Sequence, residues 1–273
     1  MTDSECTRFL QAALPRLQLR WAGLRKVRRL VCKRLARRLR ELGIADLAAY
    51  RTILERDPEE WNVLDGFCRI PVSCFYRDRE VFAALEREVL PALSQAALAS
   101  GRETLRSWSA CCASGEEPYT LAILWRLRLH HRFPALHCRI VATDLDARLL
   151  DRARAGCYRA SSLEALPADL LAPAFARRGE LWCVRDEFRT IEFHQQDIRH
   201  AVPAGEFDLV LCRNAVLTYF EPGLQYRVME RVSASLRPGG ALVIGLHEKL
   251  PAELQGFVHW NSARALYRKL APV

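Results

Sequence analysis

The sequence predicts an α/β chain: a doubly wound parallel sheet, preceded by a helical domain and carrying a small inserted β-subdomain. Three observations carry this. From Glu80 onward, helical stretches alternate with short apolar runs such as Leu105–Ser109 and Phe207–Cys212, as in parallel strands joined by crossover helices. Residues 1–78 show only helical periodicity. A chain of 273 residues is long enough for one large core and a smaller attached domain. The expected domains are 1–78 and 79–273, with the β excursion at about 172–194.

In the first domain, apolar residues recur at Leu24, Val27, Val31, Leu35, Leu39 and Leu42, which predicts one amphipathic helix over Leu24–Leu42 ending at Gly43. Further helices are expected at Asp46–Glu55 and Pro58–Phe67. Between Arg16 and Arg40 there are eleven Lys or Arg and no acid, against a net charge of +9 for the whole chain, so the basicity is local. A basic helix face is ordinarily a solvated one. Here like charges crowd at i, i+3 and i+4, which costs helix stability and favours an acidic partner: nucleic acid, an acidic protein surface or anionic lipid.

Ile70–Asp78, IPVSCFYRD, reads as the joint to the larger domain, with Phe75 and Tyr76 as anchors and Arg77 and Asp78 near a cleft or paired with each other. A helix follows over Val81–Leu98. Leu105–Ser109 is the first strand and Pro118–His130 its crossover helix. Arg139–Thr143 is the second strand, ending at Asp144, where an acid can cap the next helix or accept hydrogen bonds from a ribose. Ser161–Thr190 interrupts the alternation as a small antiparallel excursion, with short strands expected at Leu181–Val184 and Thr190–Phe193; Ile191–Gln195 then enters the next core strand, followed by Asp197. Phe207–Cys212 runs into Arg213 and Asn214 at the sheet edge where open α/β sheets bind ligands. A helix over Pro222–Leu236, a strand over Ala241–Gly245 and an edge strand within Trp260–Leu270 complete the chain.

The stretch Leu105–Ala122, LRSWSACCASGEEPYTLA, joins a strand to a helix through a turn of small residues. One glycine and two carboxylates suit a phosphate poorly. Negative charge beside a small-residue turn suits a ligand with hydroxyls and a positive centre, such as S-adenosylmethionine. Two solvated glutamates on an ordinary turn is the competing reading.

The N-terminus has no signal-peptide layout and no run is long enough to span a bilayer. Ten cysteines without a C-x-x-C pair argue against zinc and against a disulfide framework, and favour a reducing, cytoplasmic setting.

SCFYRD, WSACCASGEEPYTLA, ATDLDARLLDRARAGCY, FDLVLCRNAVLTYF and LRPGGALVIG stand in the order in which they occur in the CheR-type chemotaxis receptor methyltransferases, and the chain resembles that family over most of its length. The resemblance implies a Rossmann-like class I methyltransferase domain, with S-adenosylmethionine as cofactor and S-adenosylhomocysteine as product. The implied reaction is methyl-ester formation on glutamate side chains of chemoreceptors. It implies cofactor contacts from Ser73, Arg77, Gly115, Glu116, Asp144 (ribose), Asp197 and Ile198 (adenine side), Arg213 and Asn214, with no metal. Arg77 and Tyr219 are the expected catalytic residues, orienting the acceptor or the methionine end. The basic helix corresponds to one that meets an acidic receptor surface; a monomer without DNA binding or membrane insertion is expected. Pro71 stands where many members have asparagine, and Gly245-Leu246-His247-Glu248 replaces the usual glycine–histidine–serine–glutamate. A small-molecule or RNA acceptor, or a non-catalytic cofactor-binding sensor, are the alternative readings. His247 is the candidate base for a hydroxyl acceptor.

Overall fold

The computed structural model describes residues 2–260 and 264–271. The chain divides into two compact units, Met1–Pro71 with Thr218–Gln225, and Val72–Leu217 with Tyr226–Val273. The division falls at Pro71/Val72, ahead of the expected Asp78. Phe75 and Asp78 bond within the second unit, Phe75 N donating to Ser162 O at 2.9 Å and Asp78 pairing with Arg213 at 2.7 Å.

The first unit contains α1 (Asp3–Ala13), α2 (Trp21–Leu24), α3 (Arg28–Glu41), α4 (Leu47–Arg56) and α5 (Pro58–Cys68). Thr2 and Glu5 form a capping box on α1, and Asp46 and Asp57 cap α4 and α5. Phe9, Leu10, Leu24, Val31, Leu35, Leu39, Tyr50, Leu54 and Leu64 pack as its core. The single helix expected over Leu24–Leu42 is broken: residues 25–27 form a turn and α3 starts at Arg28 without a side-chain cap. Arg25, Lys26, Arg28 and Arg29 would otherwise stack like charges beside the positive end of the helix dipole.

Much of the basic segment is used internally. Arg28 pairs with Asp3 at 2.9 Å, Arg34 Nη1 donates to the carbonyls of Phe67 and Arg69 at 2.8 and 2.7 Å, and Arg38 grips Glu60 at 2.6 and 3.0 Å. Burial alone would raise the pKa of Glu60, but Arg38 and the Tyr50 hydroxyl outweigh it and hold it below the ordinary value. Lys26, Arg29, Lys33, Arg37 and Arg40 remain exposed. On α3 their spacing of three and four residues forms one stripe.

The second unit begins with α6 (Arg79–Ala84), which continues through a π-helical turn into α7 (Leu90–Ala99). Next come β1 (Thr104–Ala110), α8 (Glu116–Leu124), β2 (His137–Asp144), α9 (Ala147–Ala155) and β3 (Cys157–Arg159). After these come α10 (Ala168–Ala174), β4 (Phe175–Arg178), β5 (Leu181–Val184), β6 (Ile191–Gln195) and β7 (Phe207–Cys212). The chain ends with α11 (Val216–Tyr219), α12 (Pro222–Ser235), β8 (Leu236–Val243), β9 (Phe257–His259) and β10 (Leu266–Lys269). The main sheet has the order β6-β2-β1-β7-β8-β10-β9. β6 through β8 run parallel, while β10 is antiparallel to both β8 and β9. Strand order reverses between β1 and β7, so the crevice beyond their carboxyl ends is the topological switch point of a Rossmann-like sheet.

Four expectations are corrected. Ile191–Gln195 is the expected core strand, β6, paired with β2, so Thr190–Phe193 is the start of that strand and no part of the small sheet. The small sheet has the order β3-β5-β4, so it begins at Cys157, well before residue 172, and includes two strands the pattern did not show. Cys157–Arg159 and Phe175–Arg178 are too short and too mixed in polarity to display alternation. The expected edge strand at Trp260–Leu270 partly lies outside the described residues, and its described part, β10, is covered by β9. Finally, two disulfides are present, Cys6–Cys32 and Cys157–Cys183, with Cα–Cα distances of 6.0 and 4.0 Å. Each joins residues 26 apart that come together only in the fold, so cysteine spacing could not reveal them, and it no longer argues for a reducing compartment.

Among the described residues no helix is long and apolar enough to cross a membrane, and no cluster of His, Cys, Asp or Glu suits a metal ion.

Candidate active site

The turn between β1 and α8 is pinned to the end of β2. Cys112 N donates to Thr143 O at 2.9 Å, and Ala113 N to Asp144 Oδ2 at 2.9 Å. Asp144 Oδ1 also accepts Asp146 N at 2.9 Å, so this acid holds the turn and the following loop. Gly115 precedes α8 with φ +90°, where a side chain would be strained; a Cβ there would also meet Ala153 Cβ at 2.8 Å.

Among the described residues six non-glycines have positive φ, and five of them (Tyr76, Asp78, Cys111, Ala113 and Asn214) lie on the segments that meet at this crevice. Backbone strain concentrated in one place is a mark of a functional site.

The Glu116 side chain at the start of α8 is buried, and its Oε2 has no hydrogen-bond partner. Burial pushes its carboxyl pKa up, against the pull of its own backbone, Arg152, Ser73 and Ser114. A buried acceptor left open is costly unless a ligand donor satisfies it. An ammonium group would do so, and the donor set therefore fits S-adenosylmethionine.

Glu117 is a tie. Its Oε1 accepts the Ser109 hydroxyl at 2.8 Å and its Oε2 the Arg213 Nη1 at 3.0 Å. Arg213 Nη2 donates to Asp78 Oδ2 at 2.7 Å and to the Arg77 carbonyl at 2.9 Å. With a side chain only 2% exposed, Arg213 joins the ends of β1 and β7 to the segment 72–78. Arg77 and Asp78 therefore do not pair with each other; Arg77 Nη1 donates to Val72 O at 2.8 Å.

Beyond β7, Asn214 sits at φ +53° with its amide donating to Glu248 Oε2 at 3.0 Å. The same oxygen accepts Gly245 N at 2.6 Å, locking the loops after β7 and β8 together. His247 beside it is exposed. Asp197 directs its carboxylate to Arg199, at 2.8 Å from Nη2 and 3.0 Å from Nε, which holds its pKa down against the opposing effect of burial. The carbonyl of buried Ile198 is capped by Arg231 at 3.2 Å. Tyr219 lies on Thr218–Gln225 in the first unit, its carbonyl accepting Arg20 N at 2.8 Å.

The second unit thus brings Ser73, Arg77, Gly115, Glu116, Arg213 and Asn214 onto segments tied by one polar network. Sequence reasoning missed Ser109, Glu117 and Glu248 as members of it. Glu248 was the most findable, since it and Gly245 are the residues unchanged within the altered Gly245–Glu248 motif, and only Glu248 carries a polar side chain. Burial, then the Asp144 charge, keeps the thiols of Cys111 and Cys112 protonated, which favours packing over reactivity for this pair.

The description "CheR methyltransferase, SAM binding domain" matches residues 72–266, and "CheR methyltransferase, all-alpha domain" matches 26–64. A chemotaxis protein methyltransferase of Listeria monocytogenes is 38% identical over 198 residues, covering 72% of each chain. Chemotaxis protein methyltransferase 2 of Pseudomonas aeruginosa is 37% identical over 226 residues, covering 80% of this chain and 78% of that protein. An uncharacterized 104.1 kDa protein of Rhodobacter capsulatus is 35% identical over 89% of this chain, which spans only 25% of that larger protein. The chain belongs to the CheR methyltransferase family, with both its all-alpha and its S-adenosylmethionine-binding domains.

Proposed function

We propose that this protein transfers the methyl group of S-adenosylmethionine to glutamate carboxylates of chemoreceptors, forming methyl esters, as a cytoplasmic monomer. The observation that carries the reading is the buried, unpartnered oxygen of Glu116 at the switch point of the sheet. The bound cofactor supplies an electrophilic methyl on a sulfonium. Glu116 accepts the ammonium of the methionine end, with Ser73, Gly115, Arg213 and Asn214 shaping that end of the site. Asp144 faces the ribose, and Asp197 and Ile198 the adenine side. Arg77 and Tyr219 orient the acceptor carboxylate.

A carboxylate is ionised at neutral pH and needs no general base, so the chain has only to position it and exclude water. The exposed stripe Lys26, Arg29, Lys33, Arg37 and Arg40 suits an acidic receptor surface. The names of the Listeria and Pseudomonas relatives support a chemotaxis role.

The test is transfer of labelled methyl from S-adenosylmethionine to receptor-containing membranes, followed by mild base. Release of volatile methanol from a receptor band supports the proposal. Base-stable label, or label on RNA or a small molecule alone, overturns it, as does cofactor binding with no transfer to any fraction.

A further inference from the structure

The small sheet β3-β5-β4 supplies a side chain to the back of the cofactor turn. Tyr158, on β3, is buried, and its hydroxyl donates to Ser114 O at 2.7 Å, immediately before Gly115 and Glu116. Its ring makes a T-shaped pair with Phe75, the centroids 4.8 Å apart at 85°, and Phe75 makes another with Phe175 of β4 at 5.1 Å. Phe75 stands two residues after Ser73. One side chain therefore touches both segments assigned to the methionine end of the cofactor.

The Tyr158 hydroxyl also lies 3.2 Å from where a Gly115 Cβ would be, so it faces the peptide whose orientation sets φ +90° there. We infer that Tyr158 is a positioning residue for methyl transfer: by holding the Ser114 carbonyl it fixes the Ser114–Gly115 peptide and aims Glu116 into the cofactor site. Burial, and then the charge of Glu116, pushes the phenol pKa up, so it remains a donor across the working pH range. This rests on the assignment of Glu116 to the cofactor.

The test measures S-adenosylhomocysteine and S-adenosylmethionine affinity by calorimetry on the full chain, with thermal melting alongside. Glu116→Gln checks the site itself. Tyr158→Phe keeps the ring and removes only the hydroxyl. It should weaken cofactor affinity about tenfold, the scale of one buried hydrogen bond, and raise KM for the cofactor with little change in kcat. Phe75→Leu, which removes the ring paired with Tyr158, should weaken affinity by a smaller factor.

Trp182→Ala loosens β5, the strand paired to β3 at Tyr158, and should lower Tm while leaving affinity near wild type. If Glu116→Gln weakens binding and neither Tyr158→Phe nor Phe75→Leu does, Tyr158 is structural only and the inference falls. It falls equally if Trp182→Ala weakens binding as much as Tyr158→Phe. If Glu116→Gln itself leaves affinity unchanged, the site assignment fails and takes the inference with it.

Discussion

Glu248 Oε2 accepts the backbone amide of Asn214 at 3.0 Å, across two loops that no sequence pattern links. Because it also accepts Gly245 N, one oxygen fixes the left-handed turn after β7 and the chain leaving β8. Glu248→Ala strands two amides and should destabilise the protein by about 1–3 kcal/mol, with weaker cofactor binding. Gly245→Ala would set a Cβ 2.6 Å from Asn214 Oδ1 and 2.7 Å from Glu248 Oε2, and should weaken binding by displacing both. Urea denaturation and calorimetry check both variants. Unchanged affinity in Glu248→Ala would show that the tie serves stability alone.

Cofactor affinity should depend on pH through Glu116. Burial raises its carboxyl pKa, so as pH falls the group protonates earlier than an ordinary glutamate and loses its attraction for an ammonium. Affinity is expected to be full at neutral pH and to decline on acidification while the fold is intact. Binding should release protons within that window, visible as buffer-dependent calorimetric enthalpies. A pH profile unchanged in Glu116→Gln would exclude this residue as the titrating group.

Arg213 is the buried cation between two partly buried acids, Asp78 and Glu117. Arg213→Met would leave the partly buried Asp78 and Glu117 without their cation and should destabilise the fold, by less than the ~3–5 kcal/mol of a fully buried pair because both acids keep some access to water. Arg213→Lys keeps the charge but cannot reach Glu117, Asp78 and the Arg77 carbonyl in the same geometry, and should recover only part of the loss. Equilibrium urea unfolding of the two variants tests this ordering.

The basic residues of α3 should separate into two classes. Lys33→Glu with Arg37→Glu reverses charge on the exposed stripe and should abolish salt-sensitive transfer to receptor membranes, leaving Tm and cofactor affinity near wild type. Arg38→Met should instead destabilise, because Glu60 is left buried. Glu60 has a depressed pKa in the fold, so its stabilising contribution is present at neutral pH and is lost as pH falls through the folded value. The wild type should therefore lose more stability on acidification than Arg38→Met does.

Reduction should lower Tm. Each disulfide closes a separation of 26 residues, for which chain entropy gives about 3.5 kcal/mol. Cys6→Ser and Cys157→Ser, measured separately with and without reductant, assign the loss to one unit or the other. A Tm insensitive to reductant in the wild type would show that the thiols are not paired in solution.

The long apolar strands and the amphipathic helices were legible because burial imposes a period on them, as in Phe207–Cys212 and in the Leu24–Leu42 stripe. What escaped was set by tertiary partners. Cys157–Arg159 is a strand only because β5 lies beside it, and the break before Arg28 reflects charge crowding that periodicity does not register. Among site residues, Glu116 and Asp144 stood out because acids beside a small-residue turn and at a strand end are visible in the sequence, although each also admitted a plainer reading, as a solvated helix start and as a helix cap. Glu117 stood beside Glu116, yet its part in tying Ser109 to Arg213 depends on β1 and β7 being neighbours, although 96 residues separate Glu117 from Arg213.

The helical unit is not a self-contained module in the linear chain. It includes Thr218–Gln225, where Phe220 bridges Leu19 and Arg20 bonds Tyr219 and Thr218. A cut at Pro71/Val72 would leave the N-terminal piece without its closing strand partner and the C-terminal piece with an unclaimed apolar tail in mid-chain. Exchange of helical domains between relatives, by recombination or by design, must therefore transplant two separated stretches together, and a simple fusion at the boundary should yield aggregation-prone hybrids.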